Sequence, residues 1–153
     1  MTTLTEERAG IGATIKYEQA LSELIAFVRS DEGKRSLRDD WRAVRHELAQ
    51  RHTEVRALHN LARLNVSKQA AGEAIGYEAS VNQLFSAELH QRLARTGARL
   101  FGELGRLWQR RDAPLGAAFA HLGFDAVAAT FLAGTSEIQR NVIATRGLGL
   151  PRE

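Results

Sequence analysis

The sequence has no cysteine, only two prolines and few aromatics, and its longest apolar runs are short. Without cysteine there is no disulfide framework and no thiolate metal site, so a reducing compartment suits the chain. With so little proline and few β-branched runs, helix is favoured over sheet. No stretch approaches the roughly 20 consecutive apolar residues that a membrane span requires. The first residues lack the charged-then-apolar pattern of an export signal, so the cytosol is the expected location. No G-x-S-x-G or phosphate-loop motif is present.

What is there suits one helical domain. A chain of 153 residues can bury one core and has little room for a second. The net charge is +3, but the arginines alternate with acids, as in "RDDWRAVRHELAQRHTEVR". That pattern reads as a solvated, salt-bridged helix face rather than a nucleic-acid stripe, because no aromatic interleaving or groove-reading motif accompanies it.

Apolar spacing predicts three long helices. The first, about 6–28, carries Ile11, Ile15, Leu21, Leu24, Ile25 and Val28, interrupted by Glu18, with Thr5 as its expected N-cap. "SDEGK" (30–34) breaks the pattern. The second, about 37–65, places Trp41, Val44, Leu48, Val55, Leu58, Leu61 and Leu64 close to a heptad; a small-residue loop is expected over 65–76. The third, about 77–108, carries Val81, Leu84, Phe85, Leu89, Leu93, Leu100, Phe101, Leu104 and Leu107. Shorter helices follow at about 117–131 and after Gly134. Ser136 with Gln139 reads as a capping box for the last, and Gly147 as its stop. The expected fold is all-α: a four-helix bundle of up-down topology with short C-terminal helices.

The turn "AGTS" feeding a helix offers unpaired N–H groups and two hydroxyls at the positive end of a helix dipole, which suits a phosphate; equally, Thr135 and Ser136 serve as caps. His52 and His59 share a helix face, but no carboxylates around them select a metal, so no metal site is expected. Trp41 and Trp108 read as core or interface anchors.

The string "GTSEIQRNVIATRGLGLPRE" closely resembles the C-terminal signature of acyl-CoA dehydrogenases, flavoenzymes that desaturate the α,β bond of acyl-CoA thioesters. "TEERAGIGA" and "SVNQLFSAELHQRLARTGARLFG" resemble the opening and third helices of that family's C-terminal domain. The resemblance implies that residues 1–153 form one such domain. The family's N-terminal helical and middle β domains are absent from this sequence, as in a fragment or a stand-alone remnant. It further implies a wall of an FAD site, an acyl-CoA substrate, a homo- or hetero-oligomer of dehydrogenase subunits and an electron-transferring flavoprotein as electron partner.

Residue by residue, the resemblance places Thr135 and Glu137 against the flavin dinucleotide. Arg29 in "RSDEG" matches the arginine of an R-x-x-F-G element that reaches the pyrophosphate across a subunit interface. Glu32 stands where that element has Phe, Asp40 where the family has glutamine, and no "GG-x-G" precedes the fourth helix. Many members abstract the substrate's α-proton with a glutamate directly before "GT"; here that position is Ala133, which cannot accept a proton. Others use a glutamate before an arginine on the opening helix, an arrangement that Glu7 and Arg8 match. The alternative function is a non-catalytic partner subunit that has lost the base.

Overall fold

The computed structural model describes residues 11–37, 40–109, 111 and 113–152. Glu7, Arg8 and the Thr5 cap lie outside them. Among the described residues the chain is helical with no strand: α1 Ile11–Arg29, α2 Asp31–Ser36, α3 Trp41–Ala70, α4 Glu78–Phe101, α5 Ala118–Ala128 and α6 Ser136–Val142. A 3₁₀ turn, Gly102–Arg106, follows α4, and a π-helical turn, Ile143–Gly147, follows α6.

Helices α1, α3, α4 and α5 form the expected four-helix bundle. α4 lies at its centre, packed against α1, α3 and α5 and, towards its start, against α6. Its burial runs round most of its circumference, from Ala79 to Phe101. Leu24 of α1, Leu58 of α3, and Leu89 and Leu93 of α4 are fully enclosed, each stabilising the fold by about 1.5–3 kcal/mol. Phe27, Phe101 and Phe119 stack edge-on, with centroids 4.9 and 5.6 Å apart, and tie α1 and α5 to the end of α4.

Several boundaries differ from the sequence reading. "SDEGK" does not end the helical structure: the Ser30 hydroxyl accepts from the Gly33 amide at 3.0 Å and starts α2. α3 runs on to Ala70, shortening the loop expected over 65–76. The third helix stops at Phe101 rather than 108, because Gly102 turns the chain with φ 57° and ψ −129°, a conformation open chiefly to glycine.

The buried stripe of α3 keeps the expected heptad but differs in its last members. It continues from Val44, Leu48, Val55 and Leu58 to Ala62 and Asn65, while Leu64 is 48% exposed. Leu48, Val55 and Ala62 are seven apart, as are Leu58 and Asn65, so the 3.5 repeat is kept with Ala62 and Asn65 in place of Leu61 and Leu64. In α1, Ile15 is exposed and the core takes Thr14 and Tyr17 instead.

Candidate functional site

The turn before α6 is closed by its own hydrogen bonds. Ala133 and Gly134 both take positive φ, 59° and 101°. A Cβ on Gly134 would lie 2.7 Å from the Gln139 amide nitrogen, so a glycine is needed here on two counts. Gln139, buried, donates from Nε2 to the Ala133 carbonyl at 3.0 Å. The Gln83 side chain of α4 donates to the Leu132 carbonyl at 3.3 Å and seats the turn on the bundle.

The cap is Thr135, not Ser136: its hydroxyl oxygen accepts from the Ile138 amide at 3.4 Å. Gln139 therefore closes no capping box, because it is spent on Ala133. The Ser136 amide donates to the Thr130 carbonyl at 3.1 Å. The exposed Glu137 carboxylate accepts from its own amide and from the Thr135 hydroxyl, and these bonds hold its pKa below the usual carboxylate value.

The first-turn amides are thus all engaged, and an anionic side chain already occupies the positive end of the dipole. Of the two readings of "AGTS", these hydrogen bonds form the cap, and the amides that a phosphate would take are engaged within the chain. The turn presents an ionised carboxylate that can accept hydrogen bonds from hydroxyl or amide groups. The second turn also differs from expectation: Gly147 lies against the Tyr77 ring, and the left-handed residue is Gly149, with φ 68°.

Arg29 occupies a different place. It ends α1 and lines a groove of about 660 Å³ with Val28, Trp41, Arg42, Arg45, His46 and His52, and none of residues 133–137 reaches it. Beyond Arg29, α2 folds closely back on the end of α1: a Cβ on Gly33 would lie 2.0 Å from the Phe27 carbonyl oxygen. Asp40 caps α3 by accepting from the Arg42 amide at 3.0 Å, so its carboxylate is directed at the backbone.

No carboxylate among the described residues lines the groove. Among the described residues, Arg29, Arg42 and Arg45 form no ion pair. Among the described residues the expected salt-bridged face holds from Glu47 onward, where Glu47 meets Arg99, Arg51 meets Glu54 at 3.2 Å and Arg56 meets Glu18 at 3.7 Å. Sequence reasoning passed over Arg42 and Arg45. The available signal was that Arg45, unlike Arg51, has no acid three or four residues away.

A ladder of charges crosses from α3 to α6. Glu54 meets Arg92 of α4 at 3.0 Å, Arg92 meets Glu88 at 3.4 Å, and Glu88 meets Arg140 of α6 at 2.6 Å. Elsewhere an apolar surface is left open on α5 and the preceding loop. Phe124 is 72% exposed and Trp108 53%, beside a groove floored by Ala94, Ala98 and Gly123. Trp108 therefore anchors no core, and Trp41 is a groove wall. No group of three potential metal ligands occurs among the described residues, and no described helix is long and apolar enough to cross a membrane.

The sequence profile of the acyl-CoA dehydrogenase C-terminal domain matches residues 1–148. The chain belongs to this family. It is 32% identical to acyl-CoA dehydrogenase IpdE1 of Mycobacterium tuberculosis, with 100% of this chain and 38% of that protein covered. It is 30% identical to the IpdE1 of Mycolicibacterium smegmatis, covering 36% of it. The chain therefore spans well under half the length of these relatives.

Among solved structures, the steroid acyl-CoA dehydrogenase Tcur3481-Tcur3483 superposes over the whole chain and 39% of its own, with a TM-score of 0.87 at 26% identity. The ChsE4-ChsE5 complex of Mycobacterium tuberculosis superposes with a TM-score of 0.76 at 25% identity, over 90% of this chain and 36% of that one. The chain thus has the fold and family membership of an acyl-CoA dehydrogenase C-terminal domain.

Proposed function

We propose that this chain serves as the C-terminal domain of an acyl-CoA dehydrogenase-like flavoprotein, forming one wall of the FAD site and part of an oligomer interface. The observation that carries this reading is the groove of Arg29, Arg42 and Arg45, cationic, without a carboxylate among its described lining residues and walled by Trp41. Guanidinium forks suit a pyrophosphate, and an indole wall suits a flat ring. The Thr135–Glu137 turn supplies the complementary part, an acceptor for hydroxyl groups. The two sites fit different ends of a flavin dinucleotide. Glu32, the departure from R-x-x-F-G, is not among the residues lining the groove.

In the assembled enzyme the reaction is α,β-dehydrogenation of an acyl-CoA thioester. FAD, when bound, supplies the acceptor for the β-hydrogen and its electron pair, and an electron-transferring flavoprotein takes the electrons onward. The chain's own contribution is to hold the dinucleotide at Arg29 and Glu137 and to accept the α-proton. Ala133 cannot accept it, so we assign that step to Glu7. The solved relative Tcur3481-Tcur3483 is described as a steroid dehydrogenase, and we extend that substrate class to the assembly containing this chain. The open face around Phe124 and Trp108 fits burial between subunits.

The methyl group at Ala133 favours a second reading, a subunit that completes its partner's site and carries no base of its own. One substitution separates the two. Glu7→Gln in the active assembly abolishes turnover in the first reading. Unchanged turnover assigns the base to another subunit and leaves this chain the structural role.

A further inference from the structure

The charge ladder ends beside the turn that presents Glu137, and its last rung has a choice of partners. Arg140 stands three residues after Glu137 on α6, the spacing at which helix side chains of opposite charge pair. Glu137 and Arg140 nevertheless form no ion pair. The guanidinium is turned to Glu88 of α4 at 2.6 Å, and Glu88 is fixed in turn by Arg92, which Glu54 holds at 3.0 Å. The Glu137 carboxylate accepts from its own amide and the Thr135 hydroxyl, feels Arg140 through space without a direct contact, and keeps free acceptor positions facing solvent.

We propose that Glu88 is a positioning residue for Glu137: by holding Arg140 on α4 it keeps that cation off the Glu137 carboxylate, which stays open to a ligand's hydroxyl groups. The proposal rests on the reading that the turn faces the hydroxyl-bearing part of a dinucleotide. If Glu88 loses its charge, Arg140 exchanges onto Glu137, the nearest acid along its own helix. The incoming hydroxyl then has to displace a guanidinium. Pairs of this kind at a surface are weak, so the ligand loses about two- to fivefold in affinity.

The test uses three variants of the full chain in its native assembly: Glu88→Gln, Arg140→Gln and the double substitution. Two quantities are measured, FAD affinity and the titration midpoint of the Glu137 carboxylate followed by carbon-detected NMR. Glu88→Gln is expected to weaken FAD and to lower the midpoint further, as Arg140 arrives. The double variant is expected to restore FAD affinity, because the competing cation is gone, and to leave the midpoint at or above that of the unsubstituted protein. A Glu88 that merely braces α6 would not be rescued by removing Arg140.

An unchanged midpoint in Glu88→Gln overturns the proposal, as does a double variant that binds FAD no better than Glu88→Gln. If the unsubstituted assembly takes up no FAD, the functional reading fails instead. The midpoints still decide whether Glu88 holds Arg140 away.

Discussion

The groove at Arg29 and the turn at Glu137 offer opposite chemistry to one ligand. The groove collects Arg29, Arg42 and Arg45 with no carboxylate among its described lining residues. The turn, at a helix N-terminus where an anion site was one of two readings, has used its amides internally and displays a carboxylate. The resemblance in sequence assigns Arg29 to the pyrophosphate across a subunit interface and places Thr135 and Glu137 against the dinucleotide without saying which part they meet. The hydrogen bonds divide the work: the groove is fit for phosphate, and the turn for hydroxyls.

The largest expected effect attacks the end of α1 that bears Arg29. Gly33→Ala drives a methyl group into the Phe27 carbonyl and forces α2 away from α1. A loss of about 3 kcal/mol in denaturant unfolding is expected. A variant as stable as the parent would mean that α2 does not fold back on α1 so closely.

The comparison itself is sharpened by charge removal. Arg29→Ala should weaken FAD about tenfold or more, in a manner that steepens at low salt, since hydrogen bonds to charged groups contribute about 1.5–3 kcal/mol each. Glu137→Gln keeps an acceptor oxygen and should weaken FAD by only about two- to fivefold, with little salt dependence. Equal losses and equal salt slopes, measured by titration calorimetry, would erase the distinction between the sites.

A smaller effect probes the bundle core shared by both. His90 of α4 packs its ring 5.1 Å from that of Tyr17, and burial lowers its pKa below the usual 6.5. Between the folded and unfolded values the unfolded chain binds the extra proton, so stability rises with pH there. Unfolding free energy should therefore fall as pH drops below about 6.5. His90→Gln should flatten that slope. The smallest effect is at Ala133, held at φ 59°. Ala133→Gly relieves a left-handed conformation and should raise stability by about 0.5 kcal/mol.

The long helices were legible because their cores repeat along the chain, as Val44, Leu48, Val55 and Leu58 do. Their ends were less so. Whether Gly102 stops a helix or Ser30 starts one is decided by a single residue's torsions and by which carbonyl lies near, and spacing carries neither. The same holds for the site. Thr135, Glu137 and Arg29 could be picked out by type and motif, but not what they bond to. Gln139 reads as half of a capping box, yet the positive φ at Ala133 turns a carbonyl towards it and takes it away. Arg42 and Arg45 read as ordinary solvated charges; the spacing already showed Arg45 without a helical acid partner, but only α1 laid beside α3 puts both arginines with Arg29 in one groove.

The most direct measurement is the flavin content of the native assembly, read from its visible absorbance, with and without Arg29→Ala, Arg42→Ala and Arg45→Ala combined. The account predicts a yellow parent assembly and a folded, colourless triple variant that regains little flavin when FAD is added. A triple variant that keeps the parent's flavin content would show that the groove does not hold the dinucleotide and would contradict the central claim.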